Sequence, residues 1–264
     1  MLHQASVVDG FFSAYPSVIH CLTRLSLDNV CFAKWDMHHL LFDCCKQLQS
    51  LLLSNCDMGG LSVWKIEAPD SHLSVLELET CCLRKLEIWL QPEGKQLCTV
   101  FNKLRKLSLL DIFVDFDLLW TIVLLEAAPS VEIFEVEIWE HPCIVDDEER
   151  RQNFSERINP SWKVDEFATH KEWLLKEFRV IGFAPMEQQL TFIRTVMKRA
   201  PNLRTLVLKD YPSCEHCEAI GALPRSERLP KEHVYPKGKD EQDVVVMQLT
   251  GEIANPHVQM IFVD

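Results

Sequence analysis

The chain has 264 residues, of which 47% are hydrophobic, and its formal net charge is −12. This length and apolar content predict a packed core in one large domain or two small ones. The acidic balance excludes the basic surface that nucleic acids require and the polybasic segment that anionic membranes attract. With only eight glycines, a glycine-rich phosphate-binding loop is not expected.

Eleven cysteines are scattered along the chain, which is unlike the dense, even-numbered pattern of a small secreted disulfide scaffold. We expect them to be reduced, small apolar residues of a cytoplasmic or nuclear protein. The first residues lack the basic and apolar regions of a signal peptide. The most apolar stretch, residues 118–125, is too short to span a bilayer, so no membrane association is expected.

A leucine repeat runs through the chain from its first quarter. The motif L-x-x-L-x-L occurs five times, beginning at Leu22, Leu48, Leu73, Leu104 and Leu203. The last two leucines of each copy alternate with other residues, so they share the inner face of a short strand. The first three copies are spaced by about 25 residues, which is typical of a leucine-rich repeat. The pattern predicts an α/β fold, an irregular leucine-rich-repeat solenoid.

Looser copies of the motif lie between and after the strict ones. They begin at Leu61, Leu83, Val131, Leu175 and Val258, and the last of them predicts that Ile261 and Val263 face the core. Two strict copies extend to the cysteine position of the repeat consensus, at Cys56 and Cys81. We expect both thiols to lie buried beneath their strands.

Helices are predicted before several of the strands. Residues 35–45, 118–128 and 187–200 have helical periodicity, and an Ala-Pro pair ends each of the last two. Residues 140–171 carry a run of charges and are predicted to be a solvated loop. Residues 212–243 are rich in proline and mixed charge and are predicted to be irregular. Residues 241–249 fit either a short helix or a strand.

The segment HKEWLLKEFRVIGFAPMEQQLTFIRTVMKRAPNLRTLVLKDYPSCEHC, which begins at His170, resembles the FBD module of plant F-box/LRR proteins of the grass type. The repeats before it resemble the irregular leucine-rich-repeat region of the same proteins. The resemblance implies a repeat region at 1–165 and an FBD-like αβ unit at 166–264. It also implies a non-enzymatic region that recognises protein substrates for an SCF ubiquitin ligase.

The F-box that such proteins place first is not found in the sequence, so binding to a Skp1-type adaptor is not expected of this chain. The alternative is a truncated relative that acts as a free interaction module.

A C-x-x-C sequence with an internal histidine, Cys214-Glu215-His216-Cys217, is the one candidate for reactive chemistry. Structural zinc needs four ligands, and no second pair follows at a suitable distance. A redox pair needs a strand-to-helix turn in a βαβ unit. Turn structure at the end of a repeat is favoured, and zinc or redox use stays open. No hydrolase or P-loop motif occurs, so no enzyme activity, metal or cofactor is expected.

Charged residues alternate with the inner positions of several strands, which puts them on the opposite, concave face of the sheet. A partly acidic concave face would bind a basic segment of a protein partner. A merely solvated sheet face is the simpler alternative. The candidate contact residues are Glu77, Glu79, Lys85, Glu87, Lys106, Glu135, Glu137, Arg179 and Lys209.

Overall fold

A computed structural model describes residues 2–3, 16–28, 44–54, 72–79, 101, 103–114, 118–139, 172–211, 214–221, 233–251 and 257–264. They form an α/β structure around one all-parallel sheet whose nine strands follow chain order. The strands are β1 (Leu2–His3), β2 (Arg24–Asp28), β3 (Ser50–Ser54), β4 (Val75–Glu79), β5 (Lys106–Phe113), β6 (Ile133–Trp139), β7 (Glu177–Ile181), β8 (Thr205–Lys209) and β9 (Gln259–Val263). The described α-helices are α1 (Pro16–His20), α2 (Thr121–Ala127), α3 (Glu187–Arg199), α4 (Glu215–Ala219) and α5 (Lys239–Thr250).

The strand register aligns the repeat motifs with one another. Leu25 of β2 pairs with Leu51, which pairs with Leu76, and this inner row continues through Leu107 and Phe134. Every strict motif therefore forms a strand, as predicted. A one-residue slip of any strand would turn its leucines out of the core, so the buried face specifies the register.

A second ladder forms where the strands begin, and it spaces the repeats evenly. The carbonyl oxygen of Thr23 accepts hydrogen bonds from two successive amides, those of Gln49 (2.8 Å) and Ser50 (3.1 Å). The same two-amide arrangement recurs at the carbonyls of Gln49, Ser74, Arg105, Glu132 and Lys176. Each strand is thus tied to the next before its first ladder pair, and the polar backbone at this edge is satisfied.

A tight turn precedes most strands and explains the first leucine of the motif. The amide of that residue donates to the carbonyl three residues earlier, at 2.9–3.1 Å, in the pairs Leu22–Ile19, Leu48–Cys45, Leu104–Phe101, Val131–Ala128 and Leu203–Ala200. The turn directs the first side chain inward. Leu48, Leu104 and Leu203 are accordingly at most 2% exposed.

Aromatic side chains fill the core under the last third of the sheet. The rings of Phe134 and Phe178, on neighbouring strands, stack with centroids 5.4 Å apart. Phe192 of α3 meets Phe178 edge-on at 5.6 Å. Helix α3 therefore packs on the inner face of the sheet and does not cover the opposite face. The predicted helices at 118–128 and 187–200 are confirmed as a 3-10 turn (Leu118–Trp120) with α2, and as α3.

Gly182 follows β7 and allows a close approach of two strands. Its φ is +74°, a conformation that disfavours side chains, and a Cβ there would lie 2.1 Å from the carbonyl oxygen of Ile138 in β6. The same Cβ would lie 3.0 Å from the ring of Tyr211. Only glycine fits this position without moving the backbone.

Strand β9 corrects one sequence prediction. Met260 and Phe262 pair with the inner residues Leu206 and Leu208, so Ile261 and Val263 lie on the opposite face. The prediction that Ile261 and Val263 face the core is wrong. Because all of residues 260–263 are apolar, alternation does not identify the inner face, and pairing with β8 sets the register instead.

Tyr235 and α5 cover this end of the core. The Tyr235 hydroxyl donates to the Leu208 carbonyl at 3.0 Å, and its ring packs against Phe262. Burial raises the pKa of Tyr235 to about 12. The ambiguous segment at 241–249 is part of helix α5, which buries Val245 and Leu249. The irregular structure predicted for 212–243 is wrong at 215–219 and 239–243, which are helical.

Several predictions lie outside the described residues: the strands of the copies at Leu61 and Leu83, the helix at 35–43, the loop at 140–171, and the thiols of Cys56 and Cys81. The proposed boundary between residues 165 and 166 also lies there and stays a prediction. Across the described ranges, none of the helices has the length and apolar character needed to cross a membrane.

Candidate functional site

The open face is the side of the sheet opposite to α3, and its side chains alternate with the inner leucines. The strand register aligns one residue from each of eight strands along the middle of this face. The middle row consists of Ser26, Leu52, Glu77, Ser108, Glu135, Arg179, Val207 and Ile261. Neighbouring members are about 4.8 Å apart, so a segment lying across the strands would meet them in turn.

A charge network occupies the centre of the open face. The Lys106 ammonium bonds the Glu77 carboxylate at 2.8 Å and lies 3.8 Å from Glu135. On the other side of Glu135, the Arg179 guanidinium approaches its carboxylate to 3.2 Å and also bonds Glu177. The charge network is therefore Glu77, Lys106, Glu135, Arg179 and Glu177, and it crosses four strands.

Glu135 is the most enclosed member of the charge network, with a side chain only 13% exposed. Ser108, which is fully buried, donates a hydrogen bond to it at 3.2 Å. Hydrogen bonds to the ionised form stabilise a carboxylate away from bulk water. The three carboxylates and two cations leave this cluster with one net negative charge.

Arg179 is held mainly by Glu177. The hydrogen bond from its guanidinium to Glu177 is the largest cause that raises the pKa of Arg179, and Glu135 adds to it. Arg179 remains 39% exposed, so it is both oriented and reachable by a ligand. Exposed ion pairs of this kind contribute at most about 1 kcal/mol each to stability.

A second row of charges lies at the amino ends of the strands. Glu132 binds Arg105 at 3.1 Å and also Lys176, on the two neighbouring repeats. The hydrogen bond from Lys176 is the main cause that lowers the pKa of Glu132. Arg105, Glu132 and Lys176 alternate in sign along this row, and together they carry one net positive charge.

The charged centre gives way to an apolar patch on the last three strands. The apolar patch consists of Ile181, Val207, Ile261 and Val263, all on the open face. The first three are partly exposed, and Val263 is 36% exposed. Aliphatic side chains on a solvent-facing sheet surface beside a charge network are typical of a protein contact.

The structure brings together four of the nine predicted contact residues, namely Glu77, Lys106, Glu135 and Arg179. Glu137 and Lys209 lie on the same face, toward the carboxyl ends of their strands. Glu79 belongs to β4, although its side chain lies outside the described residues, as do Lys85 and Glu87 entirely.

Sequence reasoning missed Glu177, Ser108 and the apolar patch. Glu177 alternates with Phe178 in the same way as the residues that were predicted, so its position was available from the pattern. The face of Ser108 was available in the same way, but its contact with Glu135 and the grouping of the apolar patch depend on which residue lies beside which across the strands.

The C-x-x-C segment lies at the start of a helix. Cys214 immediately precedes α4 and Cys217 is within it, and both are partly buried thiols. No group of three or more His, Cys, Asp or Glu that could hold a metal ion occurs in the part of the chain that the structure describes. The structure therefore offers no described residues as further zinc ligands for this pair.

Comparison with known proteins adds no family to these observations. No protein-family model matches the chain, and no curated protein matches it significantly.

Proposed function

We propose that this chain is the recognition region of a protein of the plant F-box/LRR/FBD type, and that it binds a protein partner on the open face without catalysing a reaction. In this proposal the strands form a leucine-rich-repeat solenoid. The part from β7 onward is its FBD-like unit and continues the same sheet.

The regularity of the strand connections supports the repeat interpretation. Two inward side chains recur from β2 to β8, and a carbonyl that accepts from two successive amides recurs at the starts of β3 to β8. A hydrogen-bonded turn precedes β2, β3, β5, β6 and β8. In repeat proteins each unit contacts mainly its neighbours, and the array presents an extended surface of equivalent positions. The middle row is such a surface.

The composition of the open face is the main observation that supports protein binding. The charge network and the apolar patch lie side by side along one row, with Arg179 directly beside Val207. Protein interfaces combine an apolar centre with oriented charges that confer specificity.

The partner that fits this surface is an extended segment with a basic residue and an apolar anchor. The excess carboxylate of the charge network favours Lys or Arg near Glu135 and Glu177. An aliphatic or aromatic side chain would cover Val207 and Ile261. Glu135 and Val207 are two strands apart, about 10 Å, which an extended chain spans in about three residues.

Selection of a random linear peptide library on the immobilised protein tests this proposal. We expect the enriched peptides to combine Lys or Arg with an apolar residue about three positions away. Glu177→Lys should weaken their binding by at least about tenfold, because a like charge would meet the basic side chain.

Asp243→Lys provides the matched control, because it makes the same charge change at an exposed residue on α5. It should leave binding unchanged. If no peptide is enriched, or if both variants weaken binding equally, the open face is not the recognition surface. Thermal midpoints of both variants must stay near that of the parent chain.

A further inference from the structure

The C-x-x-C pair is not part of the open face, and its geometry suggests a chemistry of its own. The amide of Glu218 donates to the carbonyl of Cys214 at 3.0 Å, so residues 214–218 already form a helical turn. Positions i and i+3 of such a turn have Cα atoms about 5 Å apart. A disulfide requires a Cα separation of roughly 4.4–6.8 Å.

The side-chain directions at this turn also favour contact between the two sulfurs. Side chains on a helix lean toward its amino end, so Cys217 leans toward the residue that precedes the helix. That residue is Cys214, and both thiols are only partly buried, which leaves access for a small reagent. Strand β8, helices α4 and α5 and strand β9 follow in chain order, and the two strands pair in parallel, so the pair lies in the helical connection between two parallel strands.

The other cysteines in the described ranges lack this combination. Cys44 and Cys45 are adjacent, with Cα atoms about 3.8 Å apart, too close for an unstrained disulfide. Burial, with Cys44 as the lesser cause, raises the pKa of the Cys45 thiol to about 11, so almost none of it is the reactive thiolate at neutral pH. Cys21 is exposed, but no other cysteine lies near it in sequence.

We propose that Cys214 and Cys217 form a reversible intramolecular disulfide by exchange with a low-molecular-mass disulfide of the glutathione type. One thiolate attacks a sulfur of glutathione disulfide, which forms a mixed disulfide and releases one glutathione thiolate. The second cysteine then attacks the protein sulfur and releases the other glutathione. The two cysteines lose two electrons and two protons, and the glutathione disulfide is reduced to two glutathione thiols.

The disulfide would close a ring over the first turn of α4, close to where β8 ends. Asp210 and Tyr211 connect β8 to this segment, and Tyr211 packs beside Gly182 at the end of β7. Asp210 is also paired with Lys237 at 3.6 Å. Oxidation would therefore fix a turn that joins the last strands to the segment before α5.

Peptide mass analysis of the intact, folded chain tests the proposal cleanly. Trypsin cleaves after Lys209 and Arg225, and peptide 210–225 contains Cys214 and Cys217 and no other cysteine. After equilibration with glutathione disulfide and quenching with a maleimide, we expect this peptide unalkylated and two hydrogens lighter. Excess reduced glutathione should restore the doubly alkylated form.

Two serine variants separate an intramolecular disulfide from simple exposure of thiols. Cys214→Ser and Cys217→Ser should each stop at the mixed disulfide with glutathione, because the second thiol is missing. The Cys44→Ser variant should behave like the parent chain. A doubly alkylated peptide under oxidising conditions, or a stable glutathione adduct on the parent chain, would overturn the proposal.

A denaturant comparison tests whether the helical turn preorganises the pair. The measured quantity is the ratio of the glutathione disulfide concentration to the square of the glutathione concentration at which half of the pair is oxidised. This ratio should be at least about tenfold lower for the folded chain than for the chain in urea, because the turn already holds the two sulfurs together. Equal midpoints would show that the turn makes no contribution and would refute the structural argument.

Discussion

The sharpest prediction concerns Gly182, where the structure gives both a conformation and a distance. Gly182→Ala places a Cβ 2.1 Å from the Ile138 carbonyl oxygen, although such contacts are essentially never shorter than 3.0 Å. The strands β6 and β7 must therefore separate locally by about 1 Å, and overpacking of this kind costs about 1–3 kcal/mol. The positive φ of +74° adds about 1–2 kcal/mol for a residue with a side chain.

Gly221→Ala is the matched control for this substitution. Gly221 has a similar φ of +67°, but nothing lies within 4 Å of the added Cβ. Gly221→Ala should therefore lower the free energy of unfolding only by the cost of the positive φ, about 1–2 kcal/mol. The difference between the two variants isolates the contact with Ile138.

Urea unfolding followed by circular dichroism measures both free energies of unfolding. We expect Gly182→Ala to be less stable than Gly221→Ala by about 1–3 kcal/mol, with unchanged dependence on urea. Equal losses in the two variants would mean that β7 does not end against the Ile138 carbonyl, and the register of β6 and β7 would have to be revised.

Three further substitutions test other parts of the fold. Phe178→Ala removes the ring between Phe134 and Phe192 and should lower the free energy of unfolding by about 3–5 kcal/mol; a loss below about 1 kcal/mol would contradict the aromatic core. Leu107 is 2% exposed, so Leu107→Asp would bury a charge and should destabilise the chain until no cooperative unfolding transition is observed. A normal thermal transition would contradict the strand assignment. Tyr235 has a folded pKa of about 12 against an ordinary value of 10, so the folded chain retains the proton longer and its stability falls as pH rises from 10 to 12. Tyr235→Phe should cost about 1 kcal/mol at neutral pH and flatten that alkaline decline in urea titrations; an unchanged decline would contradict the burial of the hydroxyl.

The strands were predictable because the motif combines two independent signals. Alternation assigns two leucines to the inner face, and the turn residue before them marks the start of the strand. Alternation fails at β9, where residues 260–263 are all apolar and Ile261 and Val263 were assigned to the wrong face. Pairing with Leu206 and Leu208 decides that register, and pairing is not a local property of the sequence.

The candidate site was predictable residue by residue but not as an arrangement. Alternation put Glu135 and Arg179 on the open face, yet only the parallel register makes them neighbours 44 residues apart in the chain. The charge network meets the apolar patch where Arg179 pairs with Val207, and that pairing could not be foreseen for the same reason. The glycine at 182 was visible in sequence, but its approach to Ile138 depends on the position of β6.

Binding of a selected peptide, followed by methyl NMR, tests the central claim most directly. The isoleucine and valine methyl groups of the apolar patch, on Ile181, Val207 and Ile261, should shift on addition of the peptide. Those of the inner residues Val136 and Val180, buried on β6 and β7, should stay nearly unchanged. Shifts confined to helix α5, at Val244 and Val246, would contradict recognition by the open face.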